Sequence, residues 1–155
     1  FSWLVFNVLV GNSDAHLKNL SFLVSSEGIQ LAPHYDMLSI GCYDSVAFDQ
    51  SVWPHQTSLA WPILGVSKFA DINRETLIEA ASVMNIARPT AQRLMDQISS
   101  RIVEQTDALY AEVEVENQSI VKERSELAAT LAGELRCLRA ISYSVIREMV
   151  KRVKS

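Results

Sequence analysis

Asp14 and Asn19 stand five positions apart in the run Asp14-Ala15-His16-Leu17-Lys18-Asn19. This is the spacing of a phosphoryl-transfer loop, D-x-x-x-x-N. There the Asp receives or orients the proton of an attacking hydroxyl, and the Asn holds a magnesium ion over nucleotide phosphates. The pair alone is weak, because both residue types are frequent in loops. A further carboxylate, Asp36, follows after a hairpin-sized interval. Magnesium takes oxygen ligands and usually only one or two from protein, so Asn19 and Asp36 form a sufficient candidate pair. Each also has a structural alternative, Asn19 capping a turn and Asp36 capping a short helix.

The elements around these residues are what give the spacing its meaning. Phe1 to Val10 is apolar almost all round and is closed by Gly11. It reads as a buried helix with a glycine stop, with a buried strand as the rival. Leu20 to Val24 and Ile29 to Ala32 read as the strands of a hairpin, turned by Ser25-Ser26-Glu27-Gly28 and ended by Pro33. If Val24 faces Ile29, antiparallel pairing sets Asn19 opposite His34 and returns Asp36 to the catalytic loop, beside Leu17. Helix, loop, hairpin and Asp follow one another in this order in the C-terminal lobe of protein kinases.

Val10-Gly11-Asn12-Ser13-Asp14-Ala15-His16-Leu17-Lys18-Asn19-Leu20-Ser21-Phe22, then Leu31-Ala32-Pro33-His34-Tyr35-Asp36, resembles the HipA-like serine/threonine kinases, toxins of bacterial toxin–antitoxin systems. Both motifs, close to G-N-x-D-x-H-x-K-N and L-x-P-x-Y-D, are matched, and the resemblance extends more weakly to about residue 112. It implies that Asp14 is the catalytic Asp and that Asn19 and Asp36 are magnesium ligands. His16 and Lys18 belong to the motif with roles left open. Lys18 either serves the transferred phosphate or forms a salt bridge within the loop. Asp36 is followed by Met37-Leu38, so the hinge of an Asp-Phe-Gly switch does not carry over. The resemblance further implies ATP as phosphoryl donor, a DNA-binding, HipB-like antitoxin as partner, and a protein substrate such as an aminoacyl-tRNA synthetase.

The expected fold is mainly α with a small β-hairpin, a single kinase C-lobe over residues 1–155. The five glycines, Gly11, Gly28, Gly41, Gly65 and Gly133, are dispersed, so no Gly-rich loop covers the phosphates. No Val-Ala-x-Lys strand precedes the catalytic loop. The expectation is a chain that opens inside the kinase fold and is inactive without an N-lobe, which is supplied in cis or by a separate polypeptide, with a degenerate remnant as the third account. A small-molecule (aminoglycoside-type) phosphotransferase is the nearest enzyme rival, although Asn12-Ser13-Asp14 stands where that group usually has H-G-D. A C-lobe that only binds an antitoxin or another protein is the rival from another class.

At 155 residues and 48% hydrophobic the chain can bury one ordinary core. Its net charge of −4 speaks against a general nucleic-acid binder. From Glu134 to Ser155, however, six Lys or Arg face two Glu. Cations there complement a helix dipole, with contact to DNA or an acidic partner as the alternative. Cys42 and Cys137 lack metal-site spacing and read as reduced thiols of a cytoplasmic protein. No apolar run reaches the ~18 residues of a membrane span, and the apolar start lacks the basic flank and cleavage site of a signal peptide.

Residues 37–67, with Trp53-Pro54 and Trp61-Pro62, read as an irregular, activation-segment-like region, and both tryptophans as core. A helix begins after Asn73 as N-cap and ends near Asn85, and Pro89 opens the next. Ala91, Leu94, Met95, Ile98, Ile102 and Leu109 form its buried stripe. Glu112 to Glu116 reads as helix end and link. The series from Leu127 to Val153 continues at helical spacing, with Gly133 as a candidate kink.

Overall fold

The computed structural model describes residues 1–155. Helix α1 (Ser2–Leu9) is followed by hairpin β1 (Phe22–Ser25) and β2 (Gly28–Leu31). Short 3-10 turns occupy Ile40–Asp44 and Val46–Phe48, ahead of a second hairpin, β3 (Ser58–Ile63) and β4 (Val66–Lys68). Helices α2 (Arg74–Val83) and α3 (Arg88–Glu123) follow. The chain then returns along α4 (Ala128–Arg139), a π-helical segment (Ala140–Ile146) and α5 (Arg147–Lys154).

Asn73 caps α2 as expected, its Oδ1 accepting the Thr76 N–H at 3.0 Å. Pro89 lies in the first turn of α3, where its missing N–H costs nothing. Helix α1 supplies Val5, Val8 and Leu9 to a core shared with Phe69, Leu77, Met95 and Met149. At roughly 1.5–3 kcal/mol for each large apolar side chain removed from water, this cluster is the main stabilising element. Trp53 packs against it and stacks obliquely on Phe69, with ring centroids 5.0 Å apart.

The second hairpin replaces part of the expected irregular region, and Trp61, on β3, is 61% exposed and not core. The buried stripe of α3 runs through Ala91, Met95, Ser99 and Ile102, while Leu109 is exposed. Glu112 to Glu116 is not a helix end. Helix α3 runs on through it for 36 residues, about 54 Å. The three glutamates are exposed there, so their like charges are held apart by solvent. Gly133 lies inside unbroken α4, and the irregularity falls at Ala140–Ile146 instead.

Two of the six terminal cations hold the last helix down. Arg147 contacts both carboxylate oxygens of Asp107 at 2.8 Å, and Arg152 donates to the Ala70 carbonyl at 2.7 Å. Beside the Arg152 contact, Arg74 donates to Asp96 at 2.8 and 3.2 Å and to the Val153 carbonyl at 3.2 Å. The Arg74 hydrogen bond holds the Asp96 carboxyl below its ordinary value. A depressed native pKa contributes stability above the unfolded value, and that contribution is lost as pH falls through the native one. Asp96 is 56% exposed on its side chain, so the effect is worth no more than about 1 kcal/mol. Urea denaturation of wild type and Asp96→Asn should therefore differ by that amount at pH 6, and the difference should shrink as pH falls below the ordinary carboxylate range.

Candidate active site

The chain leaves α1 through Gly11, whose φ of +66° turns it sharply. A side chain here is excluded twice: by that backbone conformation, and because a Cβ would lie 2.6 Å from Val145 and 2.8 Å from Trp53. The Gly11 carbonyl accepts the Gly41 N–H at 3.0 Å, and a Cβ on Gly41 would lie 2.5 Å from the same Trp53 ring. Trp53 is thus the common wall under the start of the Gly11–Asn19 loop and the segment beyond Asp36.

Asn12 is 2% exposed and spends its amide entirely on bracing. Its Nδ2 donates to Asn7 Oδ1 at 2.7 Å and to the Asp36 carbonyl at 3.1 Å. Its Oδ1 accepts the Asp14 N–H at 3.0 Å. Asn7, buried in α1, donates in turn to the Trp3 carbonyl at 2.8 Å. A chain of amides therefore runs from α1 to the backbones of both Asp14 and Asp36. Sequence reasoning quoted Asn12 only as part of a motif and missed Asn7. The available signal was an asparagine inside an otherwise apolar helix, which demands a partner.

The first hairpin has the expected register, Val24 opposite Ile29 and Phe22 opposite Leu31. It continues with the Ala32 N–H donating to the Ser21 carbonyl at 2.8 Å. Beyond it the chain bends, and the Asp36 carboxylate reaches Asn19, not Leu17. Asn19 Nδ2 donates to Asp36 Oδ2 at 3.1 Å. Asp36 adopts φ +56°, a left-handed conformation that Asp tolerates better than most residues. Tyr35 clamps the base of the hairpin, its hydroxyl donating to the Lys18 carbonyl at 2.7 Å and lying 3.1 Å from Ser21 Oγ.

Asn19 is 4% exposed, while Asp14 and Asp36 are open to solvent. Because the Asn19 amide nitrogen takes Asp36 Oδ2, the Asn19 Oδ1 and the second Asp36 oxygen remain as hard donors. This pair fits magnesium, whose remaining ligands are phosphate oxygens and water. No three His, Cys, Asp or Glu side chains converge in the structure to make a fuller cage. Lys18 is exposed and makes no ion pair, so the salt bridge considered for it does not form. His16 accepts the Asn19 N–H on its carbonyl at 3.0 Å, and its ring Nδ1 is shielded and unpartnered. It faces, with His34, a largely apolar cavity of about 580 Å³ whose walls include Trp3, Leu31 and Trp61.

Comparison with known proteins gives one consistent direction. A family model described as the HipA-like C-terminal domain matches residues 1–106. The serine/threonine-protein kinase toxin HipA of Shewanella oneidensis is 42% identical over 50 residues, 32% of this chain and 11% of that protein. The putative kinase Y4mE of Sinorhizobium fredii is 46% identical over 43 residues, 28% of this chain and 10% of that protein. Among solved structures, Shewanella oneidensis HipA in complex with HipB and operator DNA superposes with a TM-score of 0.56 at 22% identity. That superposition covers 99% of this chain and 32% of the HipA chain, so the present chain spans about a third of its solved relative.

Proposed function

The chain belongs to the HipA-like C-terminal domain family, and on that premise we propose that it forms the C-lobe of a serine/threonine protein kinase, holding its catalytic Asp and its metal ligands. The observation that carries this reading is the 3.1 Å contact between Asn19 and Asp36, made directly beside the loop that bears Asp14. In this reading Asp14 receives the proton of the protein hydroxyl. Its carboxylate is free to do so, because the loop is held by the Asp14 N–H and not by the side chain. Asn19 and Asp36 would hold magnesium, which when bound would neutralise charge on the nucleotide phosphates. Lys18, exposed four positions after Asp14, offers a cation to the same phosphates.

In this reading the phosphate-covering loop and its lysine are supplied by an N-lobe, in cis or as a separate polypeptide. The solved relative is a complex with HipB and operator DNA, which supports a HipB-like antitoxin as partner of the whole protein. The resemblance adds an aminoacyl-tRNA synthetase as the class of substrate.

The test is Asp36→Asn in the full-length protein, followed by calorimetric titration with ATP at saturating and at zero magnesium. The wild type should bind more tightly with magnesium. The variant should lose about 10-fold or more of that increment. Equal magnesium dependence in both proteins would remove Asp36 from the metal site.

A further inference from the structure

Cys42 and Cys137 are 95 positions apart in sequence, yet their sulfurs lie 3.9 Å apart and both are free. Cys42 sits in the 3-10 turn Ile40–Asp44, is 1% exposed, and directly follows Gly41, which holds the Gly11 carbonyl. Cys137 is half-buried on α4, just before the π-helical segment. A disulfide needs a sulfur separation of about 2.05 Å, so closure asks for roughly 2 Å of approach. Helix α4 can supply it, since none of its residues is fully buried.

We propose that Cys42 and Cys137 form a peroxide-responsive thiol pair that closes to an intramolecular disulfide. Hydrogen peroxide is the two-electron oxidant. The Cys137 thiolate attacks one peroxide oxygen, the O–O bond breaks, and Cys137 becomes a sulfenic acid as hydroxide leaves. The Cys42 sulfur then attacks the Cys137 sulfur. The S–S bond forms, the S–O bond breaks, and the Cys42 proton leaves with the hydroxyl as water. Burial, and then the neighbouring Cys137, push the Cys42 thiol up to about 12. This favours the order given, because peroxide reacts with a thiolate and Cys42 stays protonated until a sulfenic acid stands beside it. Once formed, the bond ties the segment following Asp36 to the C-terminal helices. A dithiol reductant releases it.

The test treats the full-length protein with hydrogen peroxide, alkylates remaining thiols and digests without reduction. A peptide linking Cys42 to Cys137, two hydrogens lighter than its parts and abolished by dithiothreitol, is expected in most molecules. Dimedone then orders the steps. Cys42→Ser should trap the sulfenic acid on Cys137, and Cys137→Ser should give no adduct on Cys42. The proposal is overturned if both cysteines of the treated wild type are recovered unlinked, or if Cys137 links only to a second copy. A dimedone adduct on Cys42, or none on Cys137 in the Cys42→Ser protein, overturns the stated order. The wild-type digest decides the pairing even if a variant fails to fold.

Discussion

Asp14→Ala in the full-length protein is expected to lower phosphotransfer to the protein substrate by about 10³-fold, with thermal stability and nucleotide affinity unchanged. The two halves of this expectation rest on different atoms. The carboxylate is exposed, so its removal opens no cavity. What holds the loop is the Asp14 N–H on Asn12 Oδ1, which alanine retains. Steady-state transfer of labelled γ-phosphate, together with a melting curve, checks both. A module that only binds its partner would show no loss of function in this variant. Toxicity that survived Asp14→Ala would likewise end the kinase reading.

Asn12→Ala should do nearly the reverse, unfolding the site before it touches the chemistry. Three partners lose their hydrogen bonds at once: Asn7 Oδ1, the Asp36 carbonyl and the Asp14 N–H. Asn7 is 3% exposed, so water does not readily replace what it loses. At 1–3 kcal/mol for each buried group left unsatisfied, the loss of stability should be about 3–4 kcal/mol. Urea denaturation measures this directly. Magnesium-dependent nucleotide binding should fall as well, because the Asn12 amide is one of the tethers that position the Asp36 backbone. If stability is unchanged and only transfer falls, Asn12 is not the brace described above.

The parts of the site that were legible in the sequence are those fixed by local rules. The register of the first hairpin followed from two short apolar runs and one turn, and it brought Asp36 back to the loop that bears Asp14 and Asn19. The Asn73 cap and Pro89 marked helix starts for equally local reasons. Where contacts beyond the hairpin took over, the reading failed. Asp36 met Asn19 instead of Leu17, because its left-handed backbone bends the chain out of strand geometry. The second hairpin was hidden by Pro62, a residue that argues against a strand interior; Pro62 is tolerated in β3 because that two-stranded sheet leaves it at an exposed edge. Glu112 to Glu116 imitated a linker because charge alternation carries no information about helix length. The approach of Cys42 to Cys137 was beyond reach for a different reason: it depends on side chains meeting after the helices have packed. The pairing of Asn7 with Asn12 is local, five residues apart, and its signal was an amide in an otherwise apolar helix.

The side-chain hydrogen bonds that shape the site span no more than 24 residues of sequence, from Asn12 to Asp36. Those that anchor the scaffold beneath it span 79 and 82, from Arg74 to Val153 and from Ala70 to Arg152. Closing a short loop costs less chain entropy than closing a long one. The hydrogen-bond pattern of the site is therefore inexpensive to sample early in folding, before the C-terminal helix has docked. The π-helical segment that leads into that helix brings Val145 against Gly11 and completes the wall behind the loop. Geometry and rigidity are thus separate events in the life of the chain, the first encoded within 36 residues and the second conferred by its last helix.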